Sequence, residues 1–357
     1  MEHFSCKTKI ISGPGGISAL KDLRSQRLLL VTDPYFLKSG IAQKILNASN
    51  APHTEVFSGV QPDPSVALAA EGTAAVNAFR PDTIVALGGG SAMDCAKAMA
   101  YFSHRELRFV AIPTTSGSGS EVTDFAILTH NNVKHPLIDP RLQPDVAILD
   151  SELLQTLPKS LIADTGFDVL THAAEAFVAK NAGCITDTIA QEAFRIVFSG
   201  LLASYNGDLT VRLSIHTAAT MAGIAFNQAG LGLCHGLSHS LGGVFHIPHG
   251  RLNAILLPAV ISCNGCEKYA QLAKYVGLGA TTPSIAMRNL KNELVRLRGK
   301  LNLPHTLAQA GVSFQALREH MDKLVQATLQ DPCCQTNPIP GKEAMIRKVL
   351  WEVSGHG

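Results

Sequence analysis

Through the first 158 residues, short runs of consecutive apolar side chains alternate with stretches of helical period. Arg27-Leu28-Leu29-Leu30-Val31-Thr32-Asp33 reads as a buried strand ending on an acidic residue, with Pro34 behind it. Thr83 to Leu87 is a second, closed by Gly88-Gly89-Gly90; Arg108 to Ile112 is a third, closed by Pro113; Val146 to Asp150 is a fourth. Helical patterns lie between them, as at 65–79 and 92–102. Uninterrupted apolar strands separated by helices predict a parallel sheet covered on both faces. Beyond Leu157-Pro158-Lys159 the texture changes to long helical stretches, at 165–180, 186–202, 211–228 and 284–301. The expected organisation is therefore an α/β domain over residues 1–158 and an all-helical domain over 159–357, without internal repeats.

Composition sharpens this picture mainly by exclusion. A chain of 357 residues suits two domains of roughly 150 residues each. With 46% hydrophobic and 16% charged residues and a mean hydropathy of +0.16, it is too apolar for intrinsic disorder. A net charge of +2 offers no global field for nucleic acid. The most basic stretch, Arg288 to Lys300, reads as the solvated face of a helix. No apolar run reaches the ~18 residues needed to span a bilayer, and the longest candidate, Ala254 to Ile261, contains Pro258. The first residues carry no secretory pattern. A soluble cytoplasmic protein with neither membrane nor nucleic-acid partner is expected. The eight cysteines are too scattered for a disulfide framework, and Cys263-Asn264-Gly265-Cys266 reads as two unlinked thiols near a turn. Adjacent Cys333 and Cys334 do not alter that reading.

Histidines cluster. His235, His239, His246 and His249 fall within fifteen positions of a chain that has fourteen histidines in all. On a helix, His235 and His239 share a face, with Cβ atoms ~5–6 Å apart. Pro248 breaks whatever helix precedes it, so His249 sits on a bend that could return to that face. Asp168 and His172 form a second i,i+4 pair, with Glu175 a turn later. Two helices each offering such a pair can enclose one divalent ion, and imidazole with carboxylate suits zinc or iron. His246 reads equally well as a pocket-lining residue, and His216, in an Ala-rich helix, as a core or surface histidine.

Two glycine-rich turns follow predicted strands. Gly88-Gly89-Gly90-Ser91, with Asp94 and Lys97 beyond it, sits at a strand-to-helix turn where backbone can approach a phosphate closely. Ser91 and Asp94 are also candidate helix caps. The run fits neither GxGxxG nor the P-loop pattern. Thr114-Thr115-Ser116-Gly117-Ser118-Gly119-Ser120 offers hydroxyls and bare N–H groups of the kind a pyrophosphate or carboxamide needs, or forms an ordinary surface loop. Asp33 could accept both ribose hydroxyls of an adenosine and repel a 2′-phosphate, favouring NAD over NADP, or simply serve its turn. Lys134 reads as a ribose contact or a solvated lysine.

With these motifs in order, the chain resembles the iron-dependent (group III) alcohol dehydrogenases. The resemblance rests on Gly88 to Ser91 with Asp94 and Lys97, on Pro113 to Gly117, on Gly166 to His172, and on Gly230 to His239 with Pro248-His249-Gly250. It implies a dinucleotide-binding α/β domain with a parallel sheet, followed by an all-α domain, as in the dehydroquinate synthase-like fold, with catalysis in the cleft between. It places the metal ligands on Asp168, His172, His235 and His249, with Fe2+ or Zn2+ as the ion, and sets His239 beside the metal; the proton is expected to reach the alkoxide through water or through His239, the candidate catalytic residue. NAD(H) contacts fall on Asp33, Gly88, Gly89, Gly90, Ser91, Asp94, Thr114, Thr115, Ser118 and Lys134. A homodimer is implied too. Within the family the likeness is strongest to the propanol dehydrogenases of propanediol-utilisation microcompartments, which brings in a microcompartment location and shell or enzyme partners. Two departures stand out: Ile339 follows Asn337-Pro338 where the family often has Arg, and Asp63 occupies a position where Asn is frequent.

The expected activity is reversible reduction of a short aliphatic aldehyde such as propanal by NADH. A polyol dehydrogenase of glycerol type, a dehydroquinate-synthase-like lyase and a non-catalytic metal- and nucleotide-binding microcompartment component are the alternatives. A lyase acting on a phosphorylated acid would need several cations near its metal, and residues 231–250 contain none; Arg251 lies just outside.

Overall fold

A computed structural model describes residues 3–131 and 133–355. The N-terminal part is built on six parallel strands, β1 (Lys9–Ser12), β2 (Arg27–Val31), β3 (His53–Phe57), β4 (Thr83–Gly88), β5 (Arg108–Pro113) and β8 (Val146–Leu149), in the order β1-β8-β5-β4-β2-β3. Strands β6 (Phe125–His130) and β7 (Val133–Ile138) form a separate antiparallel hairpin. Every residue of β4 is buried, as a central parallel strand requires. Alternate residues supply the two covered faces. Leu28, Leu30, Val85 and Leu87 pack with α1 (Pro34–Lys38) and α2 (Ile41–Ser49). Leu29, Val31, Ile84 and Ala86 pack with α3 (Val66–Phe79) and α4 (Gly90–Phe102).

The chain leaves β2 toward β3 on one side and leaves β4 toward β5 on the other. The carboxyl ends of β2 and β4 therefore form a topological switch point, where ligands of open parallel sheets bind. Asp33 follows β2, and the glycine run closes β4.

From Pro158 the chain is helical: α5 (Lys159–Val178), α6 (Cys184–Tyr205), α7 (Arg212–Ala229), α8 (Leu233–Phe245), α9 (His249–Asn264), α10 (Lys268–Tyr275), α11 (Pro283–Lys300), α12 (Phe314–Gln330), α13 (Pro332–Gln335) and α14 (Glu343–Glu352). The molecule divides into two compact units. One holds Ser5–Leu157 with Arg212–Gly223, and the other holds Pro158–Val211 with the chain from Ile224 onward. The first half of α7 joins the sheet unit for local reasons. Arg212 donates to the Leu154 carbonyl, His216 Nδ1 meets Ser116 Oγ at 3.0 Å, and Thr220 donates to Glu121 at 2.6 Å.

The basic stretch corrects one expectation. Arg298 on α11 is buried and donates to the carbonyls of Ala254 (2.9 Å) and Ile255 (3.2 Å), so that face is only partly solvated. All eight cysteines are free thiols. Among the described residues, no helix is long and apolar enough to cross a membrane.

Candidate metal centre

Three helices of the second unit converge on one point. Asp168 and His172 lie one turn apart on α5, where both are buried. His235 is in the first turn of α8, and His249 is the first residue of α9 behind its N-cap, Pro248. The start of α9 is held hard against α5. A Cβ on Gly250 would lie 1.9 Å from the Asp164 carbonyl oxygen, so only glycine permits that approach. Arg251 completes the clamp with a two-pronged ion pair to Asp164, at 3.1 and 3.0 Å.

The four donor atoms lie within 4.8 Å of one another. Asp168 Oδ1 is 3.9, 3.8 and 3.4 Å from Nε2 of His172, His235 and His249. Four ligands at bond lengths of ~2.1 Å around a tetrahedral ion would stand ~3.4 Å apart, so small side-chain movements close the set. The rings are ordered by contact: His172 stacks on His235 and on Phe226, each at 4.5 Å between centroids.

Below the cluster, Glu175 is almost fully buried and accepts from the backbone N–H groups of Gly232, Cys234 and His235 at 3.0, 2.7 and 3.3 Å. Its Oε2 also accepts from His235 Nδ1 at 2.6 Å. One carboxylate thus caps α8, which has no side-chain cap from its own N-cap residue, and fixes the tautomer that turns Nε2 toward Asp168. Charge completes the test of fit. Burial pushes the Asp168 carboxyl up, yet the three imidazoles together hold it well below the usual carboxylate range. Burial pushes His235 down, but Asp168 and Glu175 lift it to about 9. Two buried carboxylates demand positive charge between them, and a divalent cation supplies it as well as protons do. The residues fit a metal ion.

In the sheet unit, the two glycine-rich turns face each other. Gly88 has φ +151°, a conformation that favours glycine. A Cβ on Gly89 would lie 3.3 Å from Thr115 Oγ1, and one on Gly90 would lie 3.3 Å from Ser118 Cβ. The N-cap of α4 is Gly89, which has no side chain to offer. Ser91 and Asp94 therefore do not cap the helix as the sequence suggested. Asp94 instead accepts from Ser120 Oγ at 3.0 Å, and burial pushes its carboxyl up to about 6 despite nearby Lys97. Lys97 is itself buried, donating to Ser120 Oγ, to Thr123 and to the Phe125 carbonyl at 2.8–3.1 Å, which pins the second turn. Asp33 Oδ1 accepts from the N–H groups of Tyr35 and Phe36 (2.8 and 3.3 Å), so it caps α1. Lys134 pairs with Asp63 at 2.7 Å.

Comparison with known proteins decides the family. The iron-containing alcohol dehydrogenase model matches residues 7–151, and the C-terminal model of the Fe-containing alcohol dehydrogenase family matches residues 162–353. The chain belongs to the iron-containing alcohol dehydrogenases. It is 38% identical to 1-propanol dehydrogenase PduQ of Citrobacter freundii over 99% of this chain and 100% of that one. It is also 38% identical to the NADPH-dependent butanol dehydrogenase of Clostridium saccharobutylicum, over 98% and 97%. Among solved structures, the iron-containing alcohol dehydrogenase of Thermococcus thioreducens superposes with a TM-score of 0.92 at 30% identity, covering 99% of this chain and 100% of that one.

In this alcohol dehydrogenase the remaining histidines separate. The His239 ring stacks on His249 (5.2 Å, 17°), and its Nδ1 meets Asp331 Oδ2 at 2.8 Å. His246 is an exposed C-cap of α8 with φ +54°. His216 is buried in the sheet unit, where burial pushes it down to about 4. Three functional side chains escaped the sequence reading. Glu175 was seen only as a neighbour, although it is three residues after His172 on the same face. Asn253, four residues after His249, donates to Asp168 Oδ1 at 2.8 Å and has its amide nitrogen 3.4 and 3.3 Å from Nε2 of His235 and His249. Donors from Ser238 and Cys234 to its Oδ1 orient that amide. Asp331, 92 positions from His239, left no local signal. The Ile339 departure is structurally mild, since the carbonyl of Ile339 is what Asn337 uses (2.8 Å).

Proposed function

We propose that this alcohol dehydrogenase interconverts a short aliphatic aldehyde, such as propanal, and its primary alcohol, using NADH and NAD+. The observation that carries the reading is the convergence of one carboxylate and three imidazoles from α5, α8 and α9, in a chain whose relatives of matching length are named for propanol and butanol. Asp168, His172, His235 and His249 would hold a ferrous ion, or zinc on the same donors, which would supply a Lewis acid for the carbonyl oxygen. Glu175 and Asn253 keep those ligands aimed.

His239 handles the proton. Its Nδ1 donates to Asp331, which leaves Nε2 to give or take a proton as the alcohol forms or is consumed. Burial alone would push the Asp331 carboxyl up, but His239 and the Cys333 N–H bring it below its usual value, so it stays an acceptor. On the sheet side, Gly88 to Ser91, Asp94, Thr114, Thr115 and Ser118 hold the cofactor, with the pyrophosphate at the N-terminus of α4. Asp33 selects NADH by repelling a 2′-phosphate, and Lys134 steadies the ribose edge while paired with Asp63. The lyase reading has lost its nearest cation, because Arg251 is committed to Asp164.

Anaerobically purified protein, analysed for metals and assayed across C2–C4 aldehydes with NADH and NADPH in parallel, tests this reading. Iron content that tracks propanal-dependent NADH oxidation is expected. Full turnover by a metal-stripped His235→Ala protein overturns it, and faster glycerol oxidation with NAD+ replaces it with the polyol reading. A homodimeric mass in solution and co-fractionation with microcompartment shells are the corresponding expectations for assembly.

A further inference from the structure

A second set of metal-ligating side chains lies beside the first and shares no residue with it. The donor atoms of His239, Asp331 and Cys333 all fall within 4.8 Å of one another. The short helix α13 builds this set. Asp331 is its N-cap, with Oδ1 accepting the Cys333 N–H at 2.9 Å, which fixes the carboxylate and turns Oδ2 to His239 at 2.8 Å. Cys333, two residues on, brings a thiol to the same place. All three side chains are half-buried, with 30% of His239 and 13% of Asp331 exposed, so an ion can reach them from solvent. The donor chemistry differs from that of the first cluster: one nitrogen, one oxygen and one sulfur make a softer set, and three protein ligands leave a fourth position for water.

We propose that His239, Asp331 and Cys333 form a second, inhibitory site for a thiophilic divalent cation such as zinc. Ligands of such an ion, bound at ~2.0–2.3 Å, stand ~3.3–3.7 Å apart, so the His239–Asp331 hydrogen bond opens by roughly half an ångström. Binding releases one proton to solvent, from the Cys333 thiol; the His239 ring stays neutral as its proton passes from Nδ1 to Nε2, and no oxidation state changes. Burial and the carboxylates of Asp331 and Glu175 push the free thiol well above its ordinary value; a cation at the site reverses that balance. The occupied site takes the His239–Asp331 pair out of proton transfer. That consequence rests on the role given to His239 above, whereas the site itself does not.

Cobalt(II) reports the two sites differently, because only the second contains sulfur. Titrating Co2+ into the full-length protein is expected to produce a near-ultraviolet thiolate-to-cobalt charge-transfer band. The band disappears in Cys333→Ser and is bleached by zinc in the wild type. X-ray absorption at the cobalt edge, which needs no variant, is expected to show a sulfur neighbour once the second equivalent is bound. On iron-loaded enzyme, zinc is expected to cut propanal reduction at least tenfold in the wild type and less than twofold in Cys333→Ser, each protein referred to its own zinc-free rate. Absence of a sulfur neighbour, or a band that survives in Cys333→Ser, overturns the site. A Cys333-dependent band with undiminished turnover keeps the site and overturns the proton role of His239.

Discussion

Replacing Glu175 with Gln removes one buried negative charge beneath the metal ligands while preserving shape. The native carboxylate accepts from three backbone N–H groups and from His235 Nδ1 at 2.6 Å. An amide has one oxygen to face these donors. If that oxygen takes the Oε2 position, the Cys234 N–H confronts an NH2 group; if it takes the Oε1 position, His235 loses its partner. Either way a buried donor is left unpaired, at a cost of about 1–3 kcal/mol. The surviving bonds also drop from charge-assisted to neutral, so a total destabilisation of about 3 kcal/mol is expected. His235 becomes a poorer and less well-aimed ligand, and loss of such a partner typically lowers metal affinity about 10–100-fold. Competition of apo-protein against a chelator of known affinity reads the second effect, and urea unfolding of the apo-protein reads the first. Wild-type metal affinity in a folded Glu175→Gln protein would refute the reasoning, because it would mean that Glu175 only caps α8.

Other expectations follow from single contacts. Asp33→Ser keeps a capping oxygen for α1, so stability should stay within about 0.5 kcal/mol; the ratio of NADPH to NADH use should rise at least tenfold, and an unchanged ratio would remove Asp33 from cofactor choice. Asp94 has its carboxyl raised by burial from 3.8 to about 6, so the native state binds that proton more tightly than the unfolded chain. Its contribution to stability is full below pH 3.8 and is lost as pH rises through 6. Asp94→Asn, which cannot ionise, should therefore gain on the wild type between pH 4 and 7 in denaturant unfolding; a flat difference would contradict the shift. His172→Ala should lose metal retention and turnover together, measured by elemental analysis and NADH oxidation on the same sample, whereas loss of turnover with full metal content would place His172 outside the ligand set.

The strands that could be read from the sequence were those buried on both faces, because burial writes itself as consecutive apolar residues: Leu28 to Val31, Ile84 to Leu87, Phe109 to Ile112 and Val146 to Leu149. Strands β1 and β3 lie at the sheet edges and are largely exposed, and His53-Thr54-Glu55 carries no such signature. The hairpin β6–β7 was missed for a similar reason, with polar positions and Pro136 interrupting its pattern. The metal ligands announced themselves through helical spacing within α5 and across the break at Pro248. What spacing cannot show is who holds the ligands. Glu175 and Asn253 sit at helical intervals from ligands but look like ordinary polar residues until α8 and α9 are docked. Asp331 reaches His239 only through tertiary folding. Arg298 makes the converse point: its place in a basic stretch suggested solvent, yet it is buried against the carbonyls of α9.

Reconstitution of the stripped protein tests the central claim most directly. Ferrous iron added anaerobically to apo-protein, with propanal-dependent NADH oxidation followed at each addition, should restore turnover in proportion to the first equivalent and then level off. The same titration of Asp168→Asn should restore little. Full turnover before any metal is added, or equal recovery in Asp168→Asn, would contradict the account.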